Sequence, residues 1–310
     1  MHYMFCVSGF SGVGKDEFCH RLVEKHGAVH TGLADPAKRH MAEVYGFSRD
    51  QLFGPSAMRN AGDGRYPKTI LTEMGARPVK SDELLLNPSD DDYTDPEKVW
   101  WCLDMPDDAN ACNEAANAAV VMGHLDHLPS QKIEGAMRFF FDSTNPKFFL
   151  SPREALQLHC NLMNDLYLCT WVRHGVEVHR KLALLRDKLI TDNQVSRPTY
   201  SYDRMTGLCI DRDLERGLTR DVVTCFSDFR HWHEIRYVEE AEREFGDFKT
   251  VLIRVKRPGI ETPPYDHRSE TEQATIPDHE FNFVVNNARD VASLHEDVDN
   301  IVTAVKAGKT

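Results

Sequence analysis

Apolar residues along this chain follow two patterns, short continuous runs and longer segments with helical spacing. The apolar run 3–7 predicts a strand, and so do the short, largely apolar or β-branched segments 29–33, 221–226, 249–255 and 281–285. The segments between and after these runs carry apolar residues three and four apart, which predicts helices. Strands that alternate with helices are typical of an α/β fold with three layers and a mostly parallel sheet. We therefore predict this fold class.

Two regions interrupt the alternation. Residues 46–80 are rich in Arg and Lys, and residues 81–150, which include an acidic segment, predict an insertion. Residues 187–220 combine charges with turn signals. Within them, the short runs at 199–202 and 208–210 predict a hairpin, which forms either a flap or a surface excursion.

A glycine-rich stretch, Gly9-Phe10-Ser11-Gly12-Val13-Gly14-Lys15-Asp16, follows the first predicted strand. An apolar helix face begins directly after it at Phe18, and Gly27 provides a helix stop. Glycines between a buried strand and a helix let the backbone wrap a phosphate, and the helix N-terminus attracts the anion. We predict a phosphate-binding loop whose lysine reaches the terminal phosphates. Its members are Gly9, Ser11, Gly12, Val13, Gly14 and Lys15.

Two acidic residues are candidate magnesium ligands. Asp16 stands where such loops usually carry the Ser or Thr that holds Mg²⁺, and a carboxylate also holds this ion, directly or through water. Asp228 follows the predicted strand 221–226, and the carboxyl edge of a parallel sheet carries the site. We expect Asp16 and Asp228 to hold Mg²⁺ and its waters.

Two predicted helix starts carry candidates for a second anionic ligand. Asp35 opens the helix after the second strand, and Lys38 lies in its first turn, either near the ligand or at a solvated helix start. Ser151 begins a capping box, after which Arg153 and Gln157 share one helix face. Such a pair suits a phosphate and a base edge, and an exposed surface pair is the alternative.

Composition limits the classes of function. The 310 residues include 37 basic and 49 acidic side chains, and the net charge of −12 disfavours stable binding along nucleic acid, although a local basic cleft is compatible with it. Eight cysteines without a C-x-x-C pair predict a reducing compartment and no disulfide framework. Without a signal peptide or an 18-residue apolar run, the sequence predicts a cytoplasmic protein that does not span a membrane.

These motifs together resemble the bacteriophage deoxynucleoside monophosphate kinase family. The Lys15-Asp16 ending of the loop is similar to that family's form, and the other similar blocks follow in the same order. The resemblance leaves out residues 81–150 and 187–220, and after Gln157 the sequence His-Cys-Asn replaces a stretch that contains glycine in the family. The remaining similar blocks are Leu33 to Lys38, Ser151 to Gln157, Asp228-Phe229-Arg230 with Glu234, Arg254 to Gly259, His267 to Glu270, and Phe283 to Asn287.

The resemblance implies an adenylate-kinase-like P-loop fold with a five-stranded parallel core and insertions. It implies transfer of the γ-phosphoryl group of ATP, with Mg²⁺, to a deoxynucleoside 5′-monophosphate, and it suggests a homodimer. We then expect one kinase domain over 1–310, with an acceptor-binding region and insertion at 46–150 and a lid or flap at 187–220. For a phage protein the location is the host cytoplasm.

The roles of the site residues follow from this hypothesis. Lys15 and the loop amides hold the β- and γ-phosphates of ATP. Arg230 and Arg257 are candidates for binding the transferring phosphate or the adenine side of ATP. The candidates for binding the acceptor are Asp35, Lys38, Arg59, Arg153 and Gln157, of which the last reads the base.

Three alternatives stay open. One is a small-molecule kinase resembling the animal-type phosphomevalonate kinases, whose acceptor has no base. Another is a kinase acting on hydroxymethylated pyrimidine in phage DNA, which needs a basic trench wide enough for a duplex or a flipped base. The third is a nucleotide-binding regulator without turnover. The sequence does not select among the four bases.

Overall fold

The computed structural model describes most of the chain as two compact units, one formed by Met1–His40 with Cys160–Thr310 and the other by Met41–His159. The predicted insertion and flap lie partly outside the described residues. The block His267 to Glu270 also lies partly outside them, since its first residue is not described. The structure describes residues 1–79, 100–106, 128, 130–133, 136–191, 200–202, 204, 209–211, 222–261 and 268–309.

The helices and strands are numbered in chain order. They are β1 (His2–Ser8), α1 (Lys15–His26), β2 (Val29–Thr31), α2 (Asp35–Tyr45), α3 (Arg49–Phe53), α4 (Ser56–Asn60), α5 (Thr69–Glu73), β3 (Arg77–Val79), β4 (Trp100–Pro106), β5 (Ser130–Ile133), β6 (Ala136–Asp142), α6 (Pro152–Leu166), α7 (Thr170–Thr191), β7 (Tyr200–Tyr202), β8 (Cys209–Asp211), β9 (Val222–Phe229), α8 (Trp232–Phe245), β10 (Phe248–Lys256), α9 (Arg268–Thr275), a 3₁₀ turn (Asp278–Glu280), β11 (Phe283–Asn286) and α10 (Val291–Lys306).

The first unit is built on a five-stranded sheet in the order β2-β9-β1-β10-β11, and every pair of neighbours is parallel. The predicted α/β class and parallel sheet are confirmed. The strand predicted at 221–226 continues to Phe229, because its end stays paired with β1 across a register shift. Cys6 pairs with Phe226 and Ser8 with Phe229, so a β-bulge at 227–228 faces the single residue Val7.

The sheet is covered by helices on both faces. Phe5 and Val7 of β1 pack into one buried cluster, which also contains residues of α1 and α10. Met4 and Cys6 point to the opposite face, into a cluster with residues of α7 and α8. Side chains alternate across a strand with a period of two, so the apolar run 3–7 within β1 packs on both faces of the sheet. This arrangement matches the predicted three layers.

The connections of the sheet reverse beside its central strand. From β1 the chain passes through α1 to β2 on one side, whereas from β10 it passes through α9 to β11 on the other side. In open α/β sheets, ligands bind outside the carboxyl ends of the strands at such a reversal. The glycine-rich residues 9–14 follow β1 at this position.

The second unit contains a four-stranded antiparallel sheet in the order β3-β4-β6-β5. The sequence pattern predicted no strands here. Its core consists of Leu71, Leu103, Phe141, Phe148 and Phe149, all buried. The burial comes from pairing between distant segments, since β4 pairs with β6 from Trp100–Asp142 to Pro106–Ala136.

The predicted hairpin in the flap region is confirmed for its strands. Tyr200 pairs with Asp211 and Tyr202 with Cys209 in an antiparallel ladder, while the turn between them lies largely outside the described residues. Of the helices in the described part of the chain, none has the length and apolar character needed to cross a membrane.

Candidate functional site

The glycine loop, residues 9–14, has a backbone that requires glycine at particular positions. Gly9, Gly12 and Gly14 have φ values of 140°, 83° and 103°, which residues other than glycine rarely adopt. A Cβ atom at Gly9 would collide with the carbonyl oxygen of Val255, and one at Gly14 would collide with the side chain of Asn287. The loop therefore needs all three glycines for conformation, and Gly9 and Gly14 also for space.

Lys15 is the first residue of α1 and folds back over the glycine loop. Its Nζ atom donates hydrogen bonds to the carbonyl oxygens of Gly9, at 2.6 Å, and Phe10, at 2.7 Å. Asn287, which directly follows β11, donates a hydrogen bond from Nδ2 to the carbonyl oxygen of Val13 at 2.8 Å. The loop is thus fixed at both ends, with an ammonium group held against its own backbone.

A second group of site candidates lies after β2, where Asp35 is completely buried. Arg204 binds this carboxylate with both branches of its guanidinium, Nε to Oδ2 at 2.7 Å and Nη2 to Oδ1 at 2.8 Å. The backbone N–H of Gly32 donates to Oδ2 at 2.7 Å, and Lys38 Nζ lies 3.6 Å from Oδ1. The Asp35 carboxylate is therefore shielded from solvent, binds Arg204 and lies close to Lys38.

The charges of this pair are mutually stabilised. Burial by itself raises the pKa of Asp35, but the hydrogen bonds and charge of Arg204 outweigh burial and lower that pKa below its ordinary value. Burial likewise opposes the charge of Arg204, and its hydrogen bonds to Asp35 reverse this effect and raise the pKa of Arg204. Both groups are therefore charged at neutral pH.

Asp228 lies on the β-bulge of β9 and approaches the same loop. Its Oδ1 accepts the backbone N–H of Leu33 at 2.7 Å, and its Oδ2 accepts that of Ala34 at 3.3 Å. A bulge changes the direction of a side chain at the end of a strand. An ionised carboxylate has about four acceptor positions, so Asp228 keeps capacity for a further ligand.

Gly32 is the point where these side chains converge. A Cβ atom there would lie 2.8 Å from Arg204 Nη2, 2.9 Å from Asp228 Oδ2 and 2.9 Å from Asp35 Oδ1. We call Asp35, Arg204 and Asp228 the Gly32 cluster. Because any side chain at position 32 would displace at least one of the three, the cluster depends on a glycine.

Two further residues are coupled to the Gly32 cluster through charge. Asp16 is exposed in the first turn of α1, and its negative charge is among those that raise the pKa of Arg204. Burial raises the pKa of the Cys160 thiol on α6 to about 12, the charge of Asp228 raises it further, and Lys38 lowers it. The first unit thus brings together Asp35, Lys38 and Asp228, which the sequence had singled out, and the charge of Asp16 acts on their partner Arg204.

Arg230 and Arg257 follow the carboxyl ends of β9 and β10. The backbone N–H of Arg230 donates to Glu234 Oε2 at 2.6 Å, and Arg257 is exposed in a turn where its carbonyl accepts the N–H of Ile260 at 3.1 Å. Burial raises the pKa of Glu234 to about 7, against the effect of His231 and two backbone N–H groups. Glu234 therefore anchors the segment that carries Arg230.

The remaining acceptor candidates belong to the second unit. Arg59 Nη2 donates to Ser56 Oγ at 3.2 Å within α4. Arg153 and Gln157 are partly buried on α6, and Ser151 Oγ accepts the N–H of Glu154 at 3.2 Å, which confirms the serine cap of the predicted helix start.

Arg204 is the functional candidate that the sequence analysis did not select. It was one of several arginines in the predicted flap, with no motif around it. Its partner Asp35 is 169 positions away, so only folding reveals the pair. In the sequence, Asp35 fits the start of a helix, which requires no cation, so the sequence held no signal for Arg204.

Comparison of the chain with models of known protein families and with curated proteins finds no match. The functional conclusion therefore rests on the glycine loop and on the Gly32 cluster. Both lie in the first unit, where the glycine loop follows β1 and Gly32 follows β2.

Proposed function

We propose that this chain is a P-loop kinase that transfers the γ-phosphoryl group of MgATP to a deoxynucleoside 5′-monophosphate. The observation that carries the proposal is the glycine loop with Lys15, set between the central strand β1 and the start of α1. Backbone N–H groups at a helix N-terminus and a lysine next to them form a binding site for phosphate.

The glycine loop suits the phosphates of ATP in shape and in donor chemistry. Ser11 and Gly12 are exposed, and a Cβ at Gly12 would meet only the tip of Ile260, at 3.5 Å, so the crest of the loop is accessible. Lys15 already donates to two carbonyl oxygens. Phosphate oxygens are stronger acceptors, so they would take over these hydrogen bonds from the loop.

Asp16 and Asp228 suit Mg²⁺, which prefers carboxylate and water oxygens. Asp16 is exposed beside Lys15, and Asp228 is oriented by two backbone N–H groups. A bound Mg²⁺ would neutralise charge on the β- and γ-phosphates. The protein's own task is to hold these two carboxylates in place while Lys15 fixes the phosphates.

The acceptor monophosphate needs cations and a group that distinguishes bases. In the first unit, Lys38 lies beside Asp35, whose carboxylate also fixes Arg204. In the second unit, Arg59 and Arg153 are candidates for the phosphate and Gln157 for the base. Phosphoryl transfer depends on positioning and charge neutralisation more than on covalent chemistry, which fits a site made of Lys, Arg and Asp.

The test is an assay of the purified full chain with MgATP and each of the four deoxynucleoside monophosphates, following ADP and the phosphorylated product. Lys15→Ala should lower turnover by at least about tenfold, since groups that clamp phosphates contribute orders of magnitude. The matched control is Lys25→Ala on the same helix, where the lysine is half exposed and pairs with Asp299. Activity retained in Lys15→Ala would refute the loop assignment.

The same assay separates the alternatives by acceptor. Product on phosphomevalonate, or on duplex DNA that contains hydroxymethylated pyrimidine, would replace the monophosphate assignment. ATP binding without any product from these acceptors would indicate a nucleotide-binding regulator.

A further inference from the structure

A compact group of metal-ligating side chains lies apart from the glycine loop and the Gly32 cluster. It consists of Cys19 on α1, His30 on β2 and Cys225 on β9, whose ligand atoms all lie within 4.8 Å of one another. The sheet creates part of this proximity, because His30 is the register partner of Cys225. The helix α1 supplies Cys19, which packs with Cys225 in the same buried cluster.

The three side chains interact with one another, since Cys19 has both Cys225 and His30 as partners, but thiols are weak donors and acceptors. Both cysteines are fully buried free thiols. The Nε2 atom of His30 is buried and has no hydrogen-bond partner among the described residues. A buried polar nitrogen without a partner costs free energy, and such an atom calls for an explanation, such as an ion.

We propose that Cys19, His30 and Cys225 bind one thiophilic metal ion, Zn²⁺. Zinc binds sulfur at about 2.3 Å and nitrogen at about 2.0–2.1 Å, which places neighbouring ligand atoms roughly 3.5–4.0 Å apart. The observed limit of 4.8 Å therefore requires a contraction of about 1 Å or less. Thiolate and imidazole are the ligands that soft and borderline metals select.

The charge balance of the buried site favours zinc over copper. Two thiolates and one neutral imidazole give no net charge with Zn²⁺, but they leave one negative charge with Cu⁺. An uncompensated charge among the apolar residues of this cluster would be costly. His30 is the partly exposed member of the group, so water from the β2 side could serve as a fourth ligand.

A metal here would connect three elements of the proposed kinase site without touching the substrates. It would tie α1, which begins at Lys15, to β2 and to β9, which carries Asp228 next to its last residue. The role is therefore structural, and it does not depend on the identity of the phosphate acceptor. Metal binding and kinase turnover can fail independently.

The first experiment titrates the reduced, metal-free full chain with Co²⁺ and then Zn²⁺. We expect one equivalent of Co²⁺ to produce a thiolate-to-metal charge-transfer band, one equivalent of Zn²⁺ to abolish it, and Zn²⁺ to raise the melting temperature. Cys19→Ala and Cys225→Ala should lose the band. His30→Gln, a change at a partly exposed position, should weaken binding by at least about tenfold while keeping the fold.

The matched control is Cys6→Ala, which removes another fully buried thiol from the opposite face of the sheet. It should lower stability to a similar degree and leave metal binding intact. A second control concerns His231, His233 and Glu272, whose ligand atoms also lie within 4.8 Å of one another. Co²⁺ bound by these nitrogen and oxygen donors would give no thiolate band. His233→Ala would abolish metal binding at this second group.

Three outcomes would overturn the proposal. These are the absence of a thiolate band, equal binding by wild type and all three ligand variants, and binding of Cu⁺ without any binding of Zn²⁺.

Discussion

The buried pair formed by Asp35 and Arg204 gives the sharpest test of how this site is built. Arg204→Met keeps most of the side-chain volume but leaves a carboxylate with no exposed surface and no bidentate partner. Breaking one side of a buried ion pair costs about 3–5 kcal/mol. Asp35 keeps the N–H of Gly32 and the nearby Lys38, so we expect the lower end, about 3 kcal/mol.

The pH dependence of this loss has a defined sign. In the wild type the pKa of Asp35 is lowered, so its contribution to stability is present above the unfolded pKa and disappears as pH falls through the folded pKa. In Arg204→Met, burial is opposed only by Lys38 and the N–H of Gly32, so the pKa of Asp35 rises relative to the wild type. The difference in unfolding free energy between the two proteins should therefore be largest near pH 7 and shrink toward pH 4.

The assay is urea unfolding of both proteins at several pH values, together with Asp35→Asn and the double variant. The control is Arg236→Met, whose arginine is half exposed and pairs with Glu239 and Glu280 at the surface. That change should cost less than about 1 kcal/mol. If Arg204→Met costs no more than the control, or the same at every pH, Arg204 does not neutralise Asp35.

Four other variants probe separate parts of the proposed site. Asp228→Asn should raise the Mg²⁺ requirement and lower turnover with little loss of stability, and an unchanged Mg²⁺ dependence would leave Asp228 a structural role only. Arg153→Ala should weaken all four monophosphates by a similar factor in kcat/KM, whereas Gln157→Ala should change their ranking; a uniform loss for Gln157→Ala would exclude it from base recognition. Glu234→Gln mimics the neutral acid whose pKa burial raises to about 7. Because the unfolded carboxyl ionises near pH 4.3 and the folded one near 7, wild-type stability should fall by up to about 3 kcal/mol between pH 4.5 and 7. The variant should lack this fall in urea unfolding, and equal pH profiles would contradict the shifted pKa.

The features that the sequence predicted are those set by neighbouring residues. An apolar run such as 249–255 forms a strand because both faces of a parallel sheet are buried, and the structure extends it by one residue at each end, to Phe248–Lys256. The glycine loop follows equally from local chemistry, since Gly9 and Gly14 adopt positive φ values. Kinase activity and the acceptor stay predictions, because no local pattern specifies the partner of a binding site.

The antiparallel sheet of the second unit contains strands that local sequence patterns do not predict. Its strands β3 and β5 have three and four residues, too few for a period to appear, and they become strands only by pairing with β4 and β6. Short strands draw their stability from neighbours rather than from their own sequence.

The residues of the site also fall into two groups, those that the sequence alone identified and those that only the fold revealed. Lys15 and Asp16 were evident from sequence because the loop places them next to the glycines. By contrast, Arg204 meets Asp35 across 169 positions, and Cys225 meets His30 only because β2 and β9 are neighbours in register. Tertiary structure decided these contacts, since a buried carboxylate or thiol takes its partner from whichever segment the fold brings within hydrogen-bond or ligand distance.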